Sequence, residues 1–333
     1  MLKISSKMDA KIKGGIVGAA GYTGGELLRL LINHPYVEIE FALSRTFDGK
    51  DVSSVHTDLL GETELVFTST FSNSVDVLFL CLPHKESATW IKNTTIDANV
   101  KIIDLGNDFR LDGTFDAGEF IYGLPETNSE SIKKAQYIAN PGCFATAIQL
   151  ALLPLADAKK LTDDVHINAV TGATGAGTSL SETTHFAWRD NNFSYYKPFT
   201  HQHLGEINQT LQQLQNGYSN EVIFMPFRGN FSRGIFASIY THFEGNIEEA
   251  KNIYKTYYKD AVFTTVSDSE IHMKQAVNTN KCLIHLHKHG NKLLISSVID
   301  NLTKGASGQA IHNMNLMFGW AENEGLKLKA NYF

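Results

Sequence analysis

A strand, a glycine-rich turn, a helix and a second strand follow one another within residues 14–43, and this unit constrains the fold more than any other segment. The apolar run at residues 14–18 leads into the turn AAGYTGG at residues 19–25. A helix is predicted from about Glu26 to His34, because Pro35 ends it. Residues 37–43 are predicted as the second strand. Such a βαβ unit predicts an open, mainly parallel sheet.

The glycines of this turn have the spacing of a dinucleotide-binding fingerprint, with the middle glycine one place later than usual. Small residues allow the backbone to approach a pyrophosphate, and the helix N-terminus supplies N–H groups for it. A plain tight turn is the alternative. The predicted cofactor contacts on this turn are Gly18, Gly21, Tyr22, Thr23 and Gly24.

The second strand is followed by Ser44 and Arg45, where an NAD enzyme usually carries an acidic residue for the ribose hydroxyls. An arginine at this position suits a 2′-phosphate instead. The sequence therefore predicts NADPH/NADP as the cofactor, with Ser44 and Arg45 at its adenosine end.

The pattern of apolar runs divides the chain into two parts. Residues 75–82 and 100–105 are further buried-strand candidates, which extends a Rossmann-type parallel sheet through the first part. The second part has predicted strands at residues 165–170, 236–243, 282–286 and 292–299 and a helix at 247–258. We therefore predict an α/β fold with a Rossmann-type domain and an α+β substrate domain whose sheet is mainly antiparallel. A length of 333 residues agrees with two cores.

Composition excludes several classes of protein. A net charge of −6 offers no overall attraction to nucleic acid or to anionic membranes. No run of about 18 apolar residues predicts a membrane span, and residues 1–13 lack the apolar stretch of a secretory signal. The three cysteines form no C-x-x-C pair, which favours a reducing compartment. We expect a cytoplasmic protein.

Cys143 lies in the segment IANPGCFAT, residues 138–146, on a tight turn before an apolar helix. That helix is predicted over residues 146–153, with Pro154 ending it. A helix N-terminus favours an anion, so we expect a lowered thiol pKa and a thiolate at neutral pH. A buried, inert cysteine is the alternative.

Two groups of histidines are candidates for chemistry. His201 and His203 precede an amphipathic run, and Glu206 lies three residues after His203, where it can orient the imidazole on a helical turn. Capping or surface roles are the alternative. Residues 285, 287 and 289 are also histidines, on one face of a predicted strand. This spacing permits zinc ligation, but a solvated strand face is favoured, because a structural zinc site takes ligands from two segments; no metal site is predicted.

A second glycine-rich segment, TGATGAG at residues 171–177, follows a predicted strand. Its backbone amides can shape a cofactor or phosphate pocket, and Gly172 and Gly175 are predicted cofactor contacts. An ordinary flexible loop fits the composition equally well.

Taken in order, these motifs resemble the N-acetyl-γ-glutamyl-phosphate reductases, NADPH-dependent enzymes of arginine biosynthesis within the semialdehyde dehydrogenase superfamily. The resemblance spans nearly the whole chain and rests on residues 18–28, 80–84, 103–110, 122–126, 138–154, 201–207 and 300–310. It implies that the Cys143 thiolate attacks an acyl phosphate, expels inorganic phosphate and forms a thioester that is reduced by hydride to a γ-semialdehyde. It also implies His203 as acid/base, with His201 as the second choice and Glu206 as its orienting partner.

The resemblance implies further sites and an assembly. Arg110, Asn140, His201 and Arg233 are expected to contact substrate, although either arginine can instead form a structural ion pair. Asn301 is expected to contact the cofactor. The chain is expected to return to its first domain near the end, giving residues 1–142 and 304–333 as the dinucleotide-binding domain and 143–303 as the catalytic and oligomerisation domain. A homodimer or homotetramer is expected.

Departures from the family pattern leave the acyl group open. Gly177 is followed by TSL rather than basic residues, and residues 186–190 have no counterpart that we can place. The resemblance implies reduction of N-acetyl-γ-glutamyl phosphate. Reduction of an N-succinyl or carrier-linked acyl phosphate, another phosphorylating semialdehyde dehydrogenase, and a non-catalytic NADP-binding regulatory protein remain alternatives.

Overall fold

The computed structural model describes residues 11–115 and 118–333, which contain two sheets. The first sheet has eight strands in the order β3-β2-β1-β4-β5-β8-β7-β6. It is parallel except for the β6–β7 pair, which confirms the prediction of a Rossmann-type sheet. Its strands are β1 (Ile12–Val17), β2 (Val37–Leu43), β3 (Phe67–Thr68), β4 (Val77–Leu80), β5 (Lys101–Asp104), β6 (Thr114–Phe115), β7 (Gly118–Tyr122) and β8 (Tyr137–Ala139).

The second sheet has seven strands in the order β10-β11-β9-β12-β15-β14-β13. Its strands are β9 (Val165–Thr171), β10 (Ser194–Tyr195), β11 (Val222–Arg228), β12 (Ile235–His242), β13 (Thr264–Ser267), β14 (Cys282–His289) and β15 (Lys292–Ile299). Only the β9–β11 and β13–β14 pairs are parallel. The prediction of a mainly antiparallel second sheet is therefore confirmed.

Eight α-helices cover the sheets in the described part of the chain. They are α1 (Tyr22–Leu31), α2 (Ser87–Lys92), α3 (Pro125–Lys134), α4 (Cys143–Asp157), α5 (Phe186–Arg189), α6 (His203–Leu214), α7 (Ile247–Tyr257) and α8 (Gly308–Met317). No helix of the described residues is long and apolar enough to cross a membrane.

Helix α1 begins four residues before the predicted start at Glu26. Gly21 is its N-cap, and Gly24 lies inside its first turn. A Cβ atom on Gly24 would lie 2.6 Å from the Cα of Ala19, so the glycine permits the helix to pack directly on the turn. The sequence pattern assigns Gly21 and Gly24 to the turn alone, so the predicted helix start is four residues too late.

Pro154 does not end helix α4, contrary to our prediction, because the helix continues to Asp157. A proline inside a helix cannot donate a hydrogen bond to the carbonyl four residues earlier, here that of Leu150. The hydroxyl of Tyr258 donates to this carbonyl instead, and that of Tyr254 donates to the Ala151 carbonyl at 2.6 Å. Both tyrosines come from α7 and its end, so tertiary contacts compensate for the proline.

The two sheets have separate cores. Every residue of α4 from 144 to 156 is buried, and this helix packs on the second sheet together with α6 and α7. Helix α8 packs instead with α1 in the core of the first sheet, through Ile311 and Met314. Cys143, the first residue of α4, therefore lies where the two cores meet.

Candidate active site

Cys143 occupies the first position of α4, with Gly142 as the N-cap. The preceding turn follows directly from β8, and Thr146 closes it with a side-chain hydrogen bond to the Gly142 carbonyl at 3.0 Å. Cys143 as a whole residue keeps some solvent exposure, whereas its sulfur is surrounded by protein atoms. The α4 residues from 144 to 156 are all buried, so the cysteine lies at the end of a helix that packing holds in place.

The pKa of Cys143 is raised to about 11, which contradicts our expectation of a lowered one. Burial is the main cause, and the charge of Glu206 adds to it. The Phe144 N–H and the charge of Arg110 act in the opposite direction but are weaker. The helix terminus is present as predicted, yet desolvation outweighs it, so the free protein holds a thiol at neutral pH.

Glu206 connects the cysteine turn to the first domain. One of its oxygens accepts hydrogen bonds from the Gly142 N–H at 3.0 Å and the Tyr122 hydroxyl at 2.8 Å. The other accepts one from Arg110 at 3.2 Å, and both charged groups are buried. Glu206 thus holds the backbone immediately before Cys143.

His203 and His201 lie side by side next to this turn, with ring centroids 4.6 Å apart. His203 is buried, and the absence of a Cβ on Gly142 admits its Nε2 atom beside the backbone. Nε2 lies 3.9 Å from the nearer Glu206 oxygen, which is too far for a hydrogen bond, and Nδ1 has no partner among the described residues. The expected orientation of His203 by a Glu206 hydrogen bond is therefore not observed.

Both imidazoles are neutral in the free protein. Burial lowers the pKa of His201 to about 4, with a further contribution from the charge of Lys197. Burial, together with His201 and Arg110, holds the pKa of His203 well below its usual value. Neutral imidazoles can accept a proton, which is the state a base requires.

Arg110 and Asn140 are both engaged within the protein. Besides Glu206, the Arg110 guanidinium donates to the carbonyls of Asn140 at 2.8 Å and Leu105 at 2.9 Å. The Asn140 amide donates to the Ala306 carbonyl at 3.0 Å, and its oxygen accepts from Asn313 at 3.1 Å. These contacts favour positioning of the cysteine turn over direct substrate contact.

Arg233 forms the structural ion pair that was left open as an alternative. Its guanidinium donates two hydrogen bonds to Glu26 of α1, at 2.9 and 3.0 Å, and two to Asp300, both at 3.0 Å. Asn301 likewise makes internal contacts, accepting from the Gly234 N–H at 2.7 Å and donating to Thr174 at 3.0 Å. Arg233 thus joins the two domains.

The predicted cofactor turn lies next to the cysteine through one short segment. Gly18 has a φ of +79°, and the turn leads into the N-terminus of α1. Residues Thr303–Ser307 form a π-helical turn in which the Ser307 hydroxyl donates to the Thr23 carbonyl at 2.8 Å. A Cβ on Gly305 of the same turn would lie 2.8 Å from the Cβ of Cys143. One five-residue turn therefore contacts both the glycine turn and the cysteine.

The other predicted cofactor residues lie at separate places. Ser44 is buried and Arg45 exposed directly after β2, and Arg45 has no ion pair among the described residues. Gly172 packs against the Ser232 carbonyl, and Gly175 lies in a short 3-10 turn after β9. No cluster of His, Cys, Asp or Glu side chains suited to a metal occurs within residues 11–115 and 118–333.

Sequence reasoning missed several residues of the site. Tyr122 lies in a quoted motif, but nothing local indicates its bond to Glu206, 84 positions away. Tyr196 packs against His201 with ring centroids 5.7 Å apart, and Arg228 lies 4.1 Å above the Tyr196 ring. Lys197 is near the same histidines, since its charge lowers the pKa of both. A positive φ at Lys197 is not visible in the sequence.

Comparison with known proteins identifies the family. The N-acetyl-gamma-glutamyl-phosphate reductase of Christiangramia forsetii is 58% identical over 322 residues, covering 97% of this chain and all of that protein. The proteins of the same name from Flavobacterium johnsoniae and Parabacteroides distasonis are 56% and 55% identical, with the same coverage. The chain belongs to the N-acetyl-γ-glutamyl-phosphate reductase family.

Domain families agree with this membership. Residues 13–135 match the semialdehyde dehydrogenase NAD binding domain, and residues 143–301 match the semialdehyde dehydrogenase dimerisation domain. Solved structures support the fold. Aspartate semialdehyde dehydrogenase II of Vibrio cholerae aligns with a TM-score of 0.73 at 18% identity, covering 93% of this reductase family member and 98% of that chain. The Candida albicans enzyme solved with NADP aligns with a TM-score of 0.68 at 15% identity, covering 94% and 99%.

Proposed function

We propose that this protein reduces N-acetyl-γ-glutamyl phosphate to N-acetyl-glutamate γ-semialdehyde, with NADPH as reductant and inorganic phosphate as co-product. The observation that carries the proposal is the Thr303–Ser307 turn, which touches Thr23 of the glycine turn and Cys143. The glycine turn, which would hold the dinucleotide, and the thiol that would carry the acyl group are therefore joined by one short segment. Full-length relatives of that name, at 52–58% identity, support the substrate class.

The residues present fit NADPH. Gly18 adopts a φ of +79°, where a side chain would also strike the Cys81 carbonyl, so the turn is built for close backbone approach. The α1 N-terminus directs N–H groups toward a pyrophosphate, and Arg45 is free to meet a 2′-phosphate. When bound there, NADPH supplies the hydride that reduces the acyl group.

Cys143 is the proposed nucleophile. Its sulfur attacks the carbonyl carbon of the acyl phosphate, and the bond from that carbon to the phosphate oxygen breaks. Inorganic phosphate departs, and the acyl group remains on Cys143 as a thioester. The N–H groups of Cys143 and Phe144 lower the thiol pKa, so they stabilise negative charge that develops on the sulfur as its proton leaves. The α4 N-terminus thus serves the reaction even though it does not ionise the free thiol.

His203 is the proposed acid/base, with His201 beside it as the second choice. The thiol must lose a proton as it attacks, and neutral His203 lies against Gly142, the residue before the cysteine. Glu206 is a positioning residue, because it bonds to the Gly142 N–H rather than to His203. Lys197 contributes a positive charge beside the two histidines, which favours an anionic substrate.

The remaining predictions extend this proposal. We propose residues 1–142 and 304–333 as the nucleotide domain, supported by the packing of α8 on the first sheet. The dimerisation-domain match supports self-association, and a homodimer or homotetramer in the cytoplasm is the proposed form.

A reverse-direction assay tests the reaction. The protein is incubated with NADP, phosphate and the semialdehydes of N-acetylglutamate, N-succinylglutamate and aspartate, and NADPH is followed by absorbance. We expect phosphate-dependent turnover with an N-acyl-glutamate semialdehyde, and loss of turnover with retained NADPH binding in Cys143→Ser. Faster turnover with aspartate semialdehyde would overturn the substrate, and an unaffected Cys143→Ser variant would overturn the mechanism.

A further inference from the structure

The chain has six arginines, and their partners divide them into two groups. Arg29, Arg110 and Arg233 are paired with buried carboxylates. Arg45, Arg189 and Arg228 have no carboxylate partner among the described residues. Arg45 lies at the predicted cofactor site, whereas Arg189 and Arg228 lie together in the second domain. Arg110 and Arg233, which the motifs indicate as substrate ligands, are therefore already paired with carboxylates of the protein.

Arg228 lies on the face of β11 whose side chains pack beside the cysteine site. It is the last residue of β11, on the same strand face as Phe224, because side chains of a strand alternate between faces. Phe224 packs on Phe144 and His201, with ring centroids 5.2 and 5.4 Å apart. Arg228 thus lies on the same side of the sheet as the aromatic side chains next to Cys143, four residues beyond Phe224.

Tyr196 connects Arg228 to the site. The Arg228 guanidinium carbon is 4.1 Å from the centroid of the Tyr196 ring, and the same ring packs against His201. Stacking on an aromatic face holds a guanidinium in a fixed plane and leaves its N–H edge free for a planar anion. Tyr196 also lies near Cys143, since burial and the charge of Cys143 both raise the pKa of the tyrosine.

Arg189 is held beside Arg228 by the backbone. Its guanidinium donates to the carbonyl of Gly229, the residue after Arg228, at 2.7 Å. Burial and the charge of Arg228 both lower the pKa of Arg189. Two partly buried cations without an anion repel each other, and that cost is relieved when an anion binds between them.

We infer that Arg189 and Arg228, with Tyr196 as a stacking platform, form a subsite for a carboxylate of the substrate. This inference rests on the proposed function and assigns its specificity to a segment that carries no family motif. The glutamyl α-carboxylate and a carboxylate on a dicarboxylic N-acyl group share this chemistry. Bidentate arginine contacts to either one fix the distance between the subsite and the reacting carbonyl.

Kinetics of four variants test the subsite. Arg228→Gln and Arg189→Gln remove the charge, Arg228→Lys keeps it without the planar fork, and Lys292→Gln removes one charge at the opposite end of the second sheet. Each is assayed in the reverse direction with N-acetyl- and N-succinyl-glutamate semialdehyde, with melting curves as a folding control. We expect the KM for semialdehyde to rise about tenfold or more in the Gln variants, with Arg228→Lys intermediate.

The KM values for phosphate and NADP should stay within about twofold, since neither touches the pair. A rise with both semialdehydes assigns the α-carboxylate, and a rise with the succinyl compound alone assigns the acyl carboxylate. A rise in the KM for phosphate, an equal effect of Lys292→Gln, or no change with either semialdehyde would overturn the subsite.

Direct binding separates this inference from the proposed function. Titration calorimetry with N-acetylglutamate and N-succinylglutamate should give heat with the unaltered protein and at least about tenfold weaker binding with Arg228→Gln. If the protein binds these compounds through Arg228 but turns over neither semialdehyde, the proposed reaction fails and the subsite stands. If turnover is found but the Arg228 variants bind as the unaltered protein does, the subsite fails alone.

Discussion

At the level of single residues, Cys143 is subject to opposing influences. The N-terminus of α4 and Arg110 stabilise a thiolate, while burial and the charge of Glu206 destabilise it. Burial dominates and raises the pKa to about 11. We therefore propose that the sulfur is activated by proton transfer as substrate binds, rather than stored as an anion.

Alkylation as a function of pH measures this state. A raised pKa means that the thiolate fraction, and with it the rate of iodoacetamide reaction at Cys143, should rise about tenfold per pH unit between pH 7 and 9. Peptide mass spectrometry separates Cys143 from Cys81 and Cys282, whose pKa values burial raises to about 12. A rate that already levels off below pH 8 would show a thiolate in the free protein and contradict the assignment.

Sequence reasoning proposes the reacting residues but does not indicate their partners. The spacing of His203 and Glu206 predicts a contact on one helical turn, yet Glu206 bonds to Gly142, Arg110 and Tyr122, which lie 64 to 96 positions away. Motifs show which groups are present, and only the folded chain shows which of them are already paired. For this reason the motifs predict Arg110 and Arg233 as substrate ligands, although both are paired within the protein.

At the level of elements, helix α4 depends on side chains from another helix. Pro154 removes the donor for the Leu150 carbonyl, and the Tyr258 hydroxyl replaces it. Strand β11 shows a similar effect. It contains Pro226, which weakens a strand prediction, but it pairs with β9 along its whole length and with β10 over two residues. The sequence pattern therefore predicts no strand there and gives no place in the fold to Arg228.

A double-mutant cycle tests the role of Tyr258. Tyr258→Phe should lower the free energy of unfolding by about 1–2 kcal/mol, because the Leu150 carbonyl loses its partner while buried. In a Pro154→Ala background the helix supplies its own N–H, so the same substitution should cost markedly less. Urea unfolding of the four proteins measures the coupling. Equal costs in both backgrounds would mean that the hydroxyl does not replace the missing donor.

At the level of the whole molecule, Arg233 links the two domains through Glu26 and Asp300. Burial alone would raise the pKa of Glu26, but hydrogen bonds from Arg29 and Arg233 lower it to about 2. A carboxyl group with a depressed pKa stabilises the fold above its ordinary pKa of 4.5, and this contribution is lost as the pH falls toward 2.

Arg233→Met should lower the free energy of unfolding at pH 7 by about 3–5 kcal/mol, since it leaves buried Asp300 without its cation and Glu26 with Arg29 alone. The difference from the unaltered protein should shrink at pH 3, where Glu26 of the variant is protonated. Urea unfolding at the two pH values measures both effects. Unchanged stability with a raised KM for semialdehyde would instead make Arg233 a substrate ligand.

The fold of the whole chain brings the glycine turn close to Cys143. The glycine turn, the Thr303–Ser307 turn and the start of α4 are in contact although they come from three distant segments. The return of the chain to the first domain was expected only from the family resemblance, since no local pattern specifies which sheet a C-terminal helix covers.

The most direct test is to mix the protein with N-acetyl-γ-glutamyl phosphate in the absence of NADPH. A thioester mechanism predicts a rapid release of about one phosphate per active site and an N-acetylglutamyl adduct on the Cys143 peptide by mass spectrometry. Subsequent addition of NADPH should remove the adduct and release semialdehyde. Phosphate release that requires NADPH, or an adduct that forms equally in Cys143→Ser, would contradict the account.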